Sequence, residues 1–164
     1  MLYFSYGSNM SSKRLCARVP SAKMFAVGTL DKHLLKFHKH SFRDDSAKCD
    51  IEFTNKSEDI VYGVLYEFDS NEKPNLDNAE GLGLGYEIKT VEIKVEDKIY
   101  EAFTYYGTDI DKSLKPFHWY KNHVLKGANE FNLPKDYILK YIENIVSIED
   151  KDKERELLEL SIQK

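Results

Sequence analysis

The pattern of hydrophobic and polar positions is β-like over the first two thirds of the chain. Aromatic residues at positions 2–6 predict a buried strand. Residues 86–95 and 98–106 alternate between apolar and polar around Glu96-Asp97, a pattern typical of a β-hairpin. Further strands, separated by polar stretches, are predicted at 22–30, 33–38, 49–54 and 60–68.

Two short helices are predicted among these strands. Ser11 or Ser12 is placed to cap the first helix, which Pro20 stops. Residues 70–80 have the pattern of a second short helix, which ends at Glu80 immediately before a glycine-rich loop.

Prolines mark the start of two helices in the last third of the chain. Pro116 suits the first turn of a helix that runs to about Gly127, and Pro134 suits the start of another that continues through Ile145. Strands first and helices last indicate an α+β domain and argue against a doubly wound parallel sheet.

The length of 164 residues is typical of one domain, which we place at residues 1–148. Residues 149–164 form a charged tail with six acids and four bases around Leu157, Leu158 and Leu160. This tail has the pattern of a solvated amphipathic helix, with a partner-binding helix as the alternative.

Composition narrows the class of partner and the compartment. The chain has 24 Lys and Arg against 28 Asp and Glu, a net charge of −4, which argues against a nucleic-acid-binding surface. No apolar run approaches the length of a membrane span, and no leader pattern precedes the first strand. Cys16 and Cys49 are expected to be reduced thiols, so the predicted compartment is the cytoplasm.

Two familiar site types are not supported by the residue spacing. The glycines within residues 81–85 form G-x-G-x-G after a helix, whereas a dinucleotide site needs G-x-G-x-x-G after a strand. His38 and His40 share a strand face, with His33 and Cys49 nearby, but no third ligand has a diagnostic spacing. We therefore expect no metal and no other cofactor.

Two segments remain as candidates for chemistry. At residues 6–9 a strand runs into a Gly-Ser-Asn loop whose backbone N–H groups could converge on an anion; the alternative is a plain strand-to-helix turn. A glycine at position 7 suits either a positive φ or a crowded pocket. Glu80 is either a solvated helix end or a half-buried acid, and its surroundings in sequence fit both.

A family resemblance distinguishes between these alternatives. Residues 2–10, LYFSYGSNM, are similar to the YFAYGSNL start of γ-glutamylcyclotransferases, which belong to an AIG2-like and butirosin-cyclotransferase-like superfamily. Asn132 stands where the family usually has glycine before Leu-Pro. The other similar motifs follow in the family's order: V-x-G-V-L-Y at 61–66, LD-x-x-E-G at 76–81 with Tyr86 after it, a tyrosine-bearing strand at 102–105, and GA-x-E at 127–130 with Leu133, Pro134 and Tyr137 after it.

The resemblance covers residues 2 to about 147 and implies a fold, a reaction and a site. The implied fold is a small mixed β-barrel with flanking helices. The implied reaction is intramolecular aminolysis of a γ-glutamyl amide to 5-oxoproline, with Glu80 as general acid and base. Tyr86 and Tyr105 are expected to line the pocket and to donate their hydroxyls. The implied substrate-binding residues are Tyr3, Phe4, Ser5, Tyr6, Gly7, Ser8, Asn9, Tyr86 and Tyr105.

Two other function classes stay open at this stage. One is an acyl-deprotecting cyclotransferase of antibiotic biosynthesis, which would use the same loop and glutamate on a larger substrate. The other is a non-catalytic module that binds a small molecule on the same fold. The sequence leaves open which amine the enzyme would release and whether the chain forms a homodimer.

Overall fold

Seven strands are present in the computed structural model, which describes residues 1–163. Five of them form a closed barrel, and the other two form a separate antiparallel pair. The strands are β1 (Leu2–Ser5), β2 (Lys23–Asp31), β3 (His33–Ser41), β4 (Ser46–Phe53), β5 (Ile60–Glu67), β6 (Tyr86–Val95) and β7 (Lys98–Gly107).

The barrel has the strand order β1-β5-β2-β6-β7 and closes where β1 meets β7. This closing pair is parallel and places Tyr3 opposite Phe103, whereas β1 and β5 are antiparallel. The β6–β7 hairpin pairs Tyr86 with Gly107 at one end and Val95 with Lys98 at the other. The hairpin predicted around Glu96-Asp97 is therefore confirmed.

The β3–β4 pair lies outside the barrel and is longer at its turn end than the sequence pattern predicts. Its register shifts between Phe37 and Lys39, which is a β-bulge. Beyond the bulge, the His40 N–H donates to the Asp109 carbonyl at 2.9 Å. This bond attaches the hairpin to the segment that follows β7. The apolar alternation fades at the bulge, so the pattern underestimates the length of β3.

Five α-helices flank the strands within residues 1–163. They are α1 (Ser12–Cys16), α2 (Lys73–Glu80), α3 (His118–Glu130), α4 (Lys135–Ile138) and α5 (Lys153–Ser161). Ser8–Met10 and Ser70–Glu72 form 3-10 turns, and Leu139–Glu143 form a π turn. The α+β class and the barrel with flanking helices are confirmed.

Three details of the helix predictions are corrected. The Ser11 side chain makes no capping hydrogen bond to α1 and instead contacts Gln163. Helix α3 begins at His118 with Phe117 as its N-cap, so Pro116 lies just outside its first turn. The helix expected from Pro134 to Ile145 is interrupted, because α4 passes into the π turn after four residues.

Helix α3 fixes the position of the loop that follows β1. Gly127 lies so close to this loop that a Cβ on it would come within 2.4 Å of the Ser11 backbone nitrogen and 2.6 Å of the Met10 Cβ. The absence of a side chain therefore allows the helix backbone to contact the loop directly. Met10 and Val124 are fully buried at this junction, which makes the loop part of the core.

The C-terminal tail returns to the body of the domain through polar contacts. Glu159 of α5 pairs with Arg14 and accepts a hydrogen bond from His123 at 3.0 Å, whereas Leu157 and Leu158 are each 69% exposed. The leucines thus face solvent, as in the solvated amphipathic helix that the sequence pattern predicts. Lys164, the last residue of the tail, is outside the described residues. None of the helices within residues 1–163 has the length and apolar character needed to cross a bilayer.

Candidate active site

Helix α2 holds Glu80 at its last position. Leu76 is fully buried and anchors the helix, and Pro74 occupies its first turn, where no N–H is needed. Gly81 ends the helix in the left-handed conformation, with φ 71° and ψ 49°. The chain therefore turns away directly after Glu80 and leaves its side chain facing a cavity, with only 16% of that side chain exposed.

One oxygen of the Glu80 carboxylate is fixed by two donors. Its Oε1 accepts from Asn9 Nδ2 at 2.8 Å and from Arg18 Nη1 at 2.8 Å. The same Arg18 nitrogen also donates to Asn9 Oδ1 at 2.8 Å, so the three side chains form a closed set. Within residues 1–163, Oε2 of Glu80 has no hydrogen-bond partner and is left for a group that enters the cavity.

The Gly7 backbone does not have the positive φ that is one of the two reasons the sequence suggests for a glycine here. Its φ is −118°, so the position does not need glycine for a left-handed conformation. The crowded-pocket explanation fits instead, because a Cβ on Gly7 would lie 3.0 Å from the Cys49 Cβ and 3.4 Å from its sulfur. Gly7 therefore allows the loop to pack closely against β4.

The loop presents two backbone amides that its own turn does not use. The Met10 N–H donates to the Gly7 carbonyl at 3.0 Å and makes the first hydrogen bond of the 3-10 turn. The N–H groups of Ser8 and Asn9 lie before the first hydrogen-bonded N–H of the turn, so the turn offers them no acceptor and they must find one elsewhere. Both residues line the cavity beside Glu80.

Tyrosine rings form much of the cavity wall, but most of their hydroxyls are already engaged. Tyr86 donates to the Cys49 carbonyl at 2.5 Å, and Tyr105 donates to Asp77 Oδ1 at 2.6 Å. In this structure both hydroxyls donate within the protein, whereas the resemblance implies that they donate to the substrate. Tyr6 likewise donates to the Tyr105 carbonyl at 2.7 Å.

The Tyr3 hydroxyl contacts Asn9, one of the side chains that hold Glu80. It lies 3.4 Å from Asn9 Nδ2. Burial, followed by the negative charge of Glu80, raises the pKa of Tyr3. This hydroxyl therefore stays protonated and available as a donor.

The structure brings most of the predicted site residues together. Phe4 is fully buried, and a Cβ on Gly63 would come within 2.6 Å of its ring, so Phe4 is part of the barrel interior. The Ser5 hydroxyl is also buried and has no hydrogen-bond partner among the described residues. The cavity is lined by Tyr3, Tyr6, Gly7, Ser8, Asn9, Glu80, Tyr86 and Tyr105, together with Cys49 and Tyr120.

A wider vestibule lies outside this cavity. Ser8, Glu80, Tyr86 and Tyr120 line both spaces, so they mark the passage between them. The vestibule walls are rich in cationic side chains. The cations are Arg14, Arg18, Lys39, Arg43, Lys48 and Arg155.

Sequence reasoning missed several residues of this site. Asp77 lies three residues before Glu80 and therefore on the same face of α2, a spacing that could have identified it. Arg18, Cys49, Tyr120 and Lys39 have no comparable signal, because they reach the site from separate elements through the tertiary fold.

The histidines of the β3–β4 pair do not converge. His38 bonds to Asp50 at 2.8 Å, His40 bonds to Asp109 at 2.8 Å, and His33 lies 2.9 Å from the Lys89 ammonium. Across residues 1–163, no three His, Cys, Asp or Glu side chains are grouped so as to hold a metal ion.

The fold and the site define a class of protein: a small closed barrel in which a glycine-containing loop after the first strand faces a carboxylate at a helix end. The model of the AIG2-like family matches residues 60–141, which are 82 of the 164 residues. The chain belongs to the AIG2-like family. Asn132 has a φ of 52°, a left-handed conformation that glycine adopts without strain.

Comparisons with individual proteins agree with this family. A γ-glutamylcyclotransferase from Homo sapiens is 32% identical over 96 residues, which are 57% of this chain and 50% of the human protein. The match thus spans half the length of that relative. The solved structure of a γ-glutamyl cyclotransferase is 28% identical with a TM-score of 0.87 and covers 99% of this chain and 98% of its own. An uncharacterised protein from Homo sapiens is 29% identical with a TM-score of 0.86, with the same coverage.

Proposed function

We propose that the protein is a γ-glutamylcyclotransferase, which converts a γ-glutamyl amide into 5-oxoproline and a free amine or amino acid. The names of the human relative and of the similar structure support this activity. The observation that carries the proposal is the state of Glu80: one carboxylate oxygen is fixed by Asn9 and Arg18, and the other faces the cavity without a partner among the described residues.

The chemistry is an intramolecular aminolysis. The α-amine of the substrate attacks its own γ-carbonyl carbon, the new C–N bond closes a five-membered ring, and the original amide C–N bond breaks. No covalent intermediate with the protein is needed. A narrow cavity that holds the γ-glutamyl chain in its folded conformation brings the two reacting atoms together, and such positioning contributes several kcal/mol.

Glu80 is the proposed proton carrier. Once the attacking amine is neutral, cyclisation moves one proton from the attacking nitrogen to the leaving nitrogen. The free Oε2 of Glu80 accepts that proton first and returns it to the leaving nitrogen later, so that one carboxylate is base and then acid. Asn9 and Arg18 hold Oε1 throughout and keep the carboxylate aimed at the substrate.

The loop after β1 is the proposed oxyanion site. The carbonyl oxygen becomes negative when the amine adds to it. The N–H groups of Ser8 and Asn9, which the 3-10 turn does not use, are the donors that would stabilise this charge. Backbone donors act through their position, so the side chain of Ser8 is not required for this step.

The proposal extends to the class of reaction and to the compartment. The reaction is an acyl transfer within the substrate that releases the leaving amine, as in the breakdown of glutathione-type γ-glutamyl compounds. Both cysteines are free thiols, which supports a reducing compartment such as the cytoplasm.

Release of 5-oxoproline tests the proposal directly. The purified protein is incubated with γ-glutamyl dipeptides, glutathione and γ-glutamyl-lysine, and 5-oxoproline is measured by mass spectrometry. The proposal predicts its formation in equal amount with the free amine. A binding module would instead raise the melting temperature with these compounds and form no 5-oxoproline, and that result would exclude a cyclotransferase acting on them.

A further inference from the structure

Lys39 enters the vestibule from β3 in an unusual way. It lies directly after the β-bulge that shifts the register between Phe37 and Lys39, and a bulge redirects the side chain that follows it. The residue is only 4% exposed, although lysine is rarely buried without a partner.

Two glycines make the space through which the Lys39 side chain passes. A Cβ on Gly85 would lie 2.9 Å from the Lys39 Cε, and a Cβ on Gly107 would lie 3.0 Å from its Cγ. Beyond them the ammonium lies 4.4 Å from the centre of the Tyr86 ring. The lysine is thus confined to one path that ends beside the passage between the cavity and the vestibule.

The Lys39 ammonium has no hydrogen-bond or ion-pair partner within residues 1–163. Of the carboxylates near its path, Asp109 is engaged with His40 at 2.8 Å, and Asp50 is engaged with His38 at 2.8 Å. Glu80, whose negative charge acts most strongly on the Lys39 ammonium, forms its ion pair with Arg18 instead. An ammonium buried without a hydrogen-bond or ion-pair partner is energetically unfavourable, and a ligand that supplies an acceptor would remove this cost.

The other cations of the vestibule, apart from the exposed Arg43, are paired with carboxylates. Arg14 contacts Glu159, Lys48 bonds to Asp44 at 2.7 Å, and Arg155 bonds to Asp150 at 2.5 Å. Arg18 is held by Glu80, as described above. Lys39 is therefore the buried cation of this wall that the described residues leave without a carboxylate partner, whereas Arg43 is exposed and donates to the Asn78 carbonyl at 3.0 Å.

We propose that Lys39 is a specificity-determining residue that binds a carboxylate on the leaving amine of the substrate. This assignment rests on the proposed function, because the γ-glutamyl half fills the narrow cavity and leaves the other half in the vestibule. It defines a substrate class: γ-glutamyl amides whose leaving group is an amino acid or peptide with a free carboxylate, in preference to amides of neutral amines.

The electrostatic surroundings of Lys39 are consistent with this role. Burial lowers the pKa of the Lys39 ammonium, although the negative charges of Glu80, Asp109 and Asp44 act in the opposite direction. A carboxylate beside the ammonium would restore the stability of its charged form. The substrate carboxylate would thus supply the hydrogen-bond acceptor that the Lys39 ammonium lacks in the folded protein.

A pair of substrates that differ only in the carboxylate tests the assignment. γ-Glutamyl-alanine and γ-glutamyl-ethylamide release alanine and ethylamine, and γ-glutamyl-alaninamide is a third substrate in which the carboxylate is capped. The wild-type protein is expected to have a clearly higher kcat/KM for γ-glutamyl-alanine than for the two neutral compounds. Lys39→Met keeps the length and apolar character of the side chain and should reduce this preference by roughly 10- to 100-fold, because a hydrogen bond between charged groups is lost.

Lys36→Met is the matched control, since Lys36 lies on the same strand with 39% of its side chain exposed and outside both cavities. It should keep the wild-type preference. An equal loss of kcat/KM for all three substrates in Lys39→Met would contradict the assignment. A wild-type protein with no preference among the three substrates would contradict it as well, and this second test does not depend on the variant folding. Absence of 5-oxoproline from all three with wild type would instead overturn the proposed function, and this assignment with it.

Discussion

Gly7 and Ser8 contribute to the proposed oxyanion site in different ways. The Ser8 hydroxyl makes no hydrogen bond within residues 1–163, and only its backbone N–H is assigned a function. Ser8→Ala should therefore retain clear activity. Gly7→Val should lower kcat by roughly 10²–10³-fold, because its side chain would press on Cys49 and displace the amides from the oxyanion.

Steady-state kinetics of both variants test this difference, with near-UV circular dichroism to establish that each is folded. Gly7→Ala adds a smaller side chain at the same contact and should lie between Gly7→Val and the wild type. If Ser8→Ala is as inactive as a variant without the Glu80 carboxylate, the hydroxyl takes part in the chemistry and the backbone account is wrong.

Individual site residues differ in how far the sequence predicts them. Glu80 and the loop at residues 6–9 stand in recognisable motifs, and the structure places both at one cavity. Arg18 and Lys39 have no motif. Arg18 reaches Glu80 over 62 positions, and the direction of Lys39 depends on a bulge and on two glycines of other elements. Such placements follow from tertiary packing, which local patterns do not contain.

Gly81 determines where helix α2 ends and thus where Glu80 points. Its φ of 71° is unfavourable for residues with a Cβ, and only the Leu84 Cβ lies within 4 Å of a Cβ placed there. Gly81→Ala should therefore destabilise the fold by about 1–2 kcal/mol through backbone strain alone. Gly81→Asn should cost less, because asparagine tolerates this conformation. Urea unfolding of the two variants measures the difference, and an unchanged midpoint for Gly81→Ala would contradict the assigned strain.

The elements that the sequence predicts best are those with local rules. The β6–β7 hairpin follows from strict alternation around Glu96-Asp97, and its observed strands match the expected ones to within one residue. Helix α5 and its exposed leucines agree with the predicted solvated helix, but the pairing of Glu159 with Arg14, 145 positions earlier, has no local signal. Contacts between charges so far apart in sequence follow from the tertiary fold, so local patterns do not predict how this helix docks.

The docking of the tail makes the whole molecule sensitive to acid. Asp150 is fully buried and accepts from Trp119 Nε1 at 2.8 Å. Hydrogen bonds from Arg155 above all, and also from Trp119, lower the pKa of Asp150 from its usual 3.8 to about 2. Burial alone would raise the pKa of Glu159, but the hydrogen bond from His123 and the charge of Arg14 outweigh it and lower that pKa to about 2. These two carboxylates therefore stabilise the folded state only while they are ionised.

The stabilisation should be complete above about pH 5 and should be lost as the pH falls from about 4 to 2, because both folded-state pKa values lie below the unfolded ones. Trp119 is the single tryptophan of the chain, so its fluorescence reports the docking of the tail. Asp150→Asn should shift the Trp119 fluorescence at neutral pH toward that of the undocked tail. It should also make the fluorescence change between about pH 4 and 2 smaller than in the wild type. Glu149 is the residue before Asp150, and its side chain is 78% exposed, so Glu149→Gln should behave as wild type. An acid transition of equal size in Asp150→Asn would contradict the account.

The central claim is that Glu80 transfers the proton during cyclisation, and Glu80→Gln tests it most directly. The amide keeps an oxygen that Asn9 and Arg18 can bind, so the fold and the cavity should be preserved, but it cannot carry a proton at neutral pH. The rate of 5-oxoproline release should fall by about 10²–10⁴-fold with little change in melting temperature. Glu87→Gln, an exposed glutamate outside the cavity, is the control and should keep the wild-type rate. A Glu80→Gln variant that releases 5-oxoproline at a near-normal rate would contradict the mechanism.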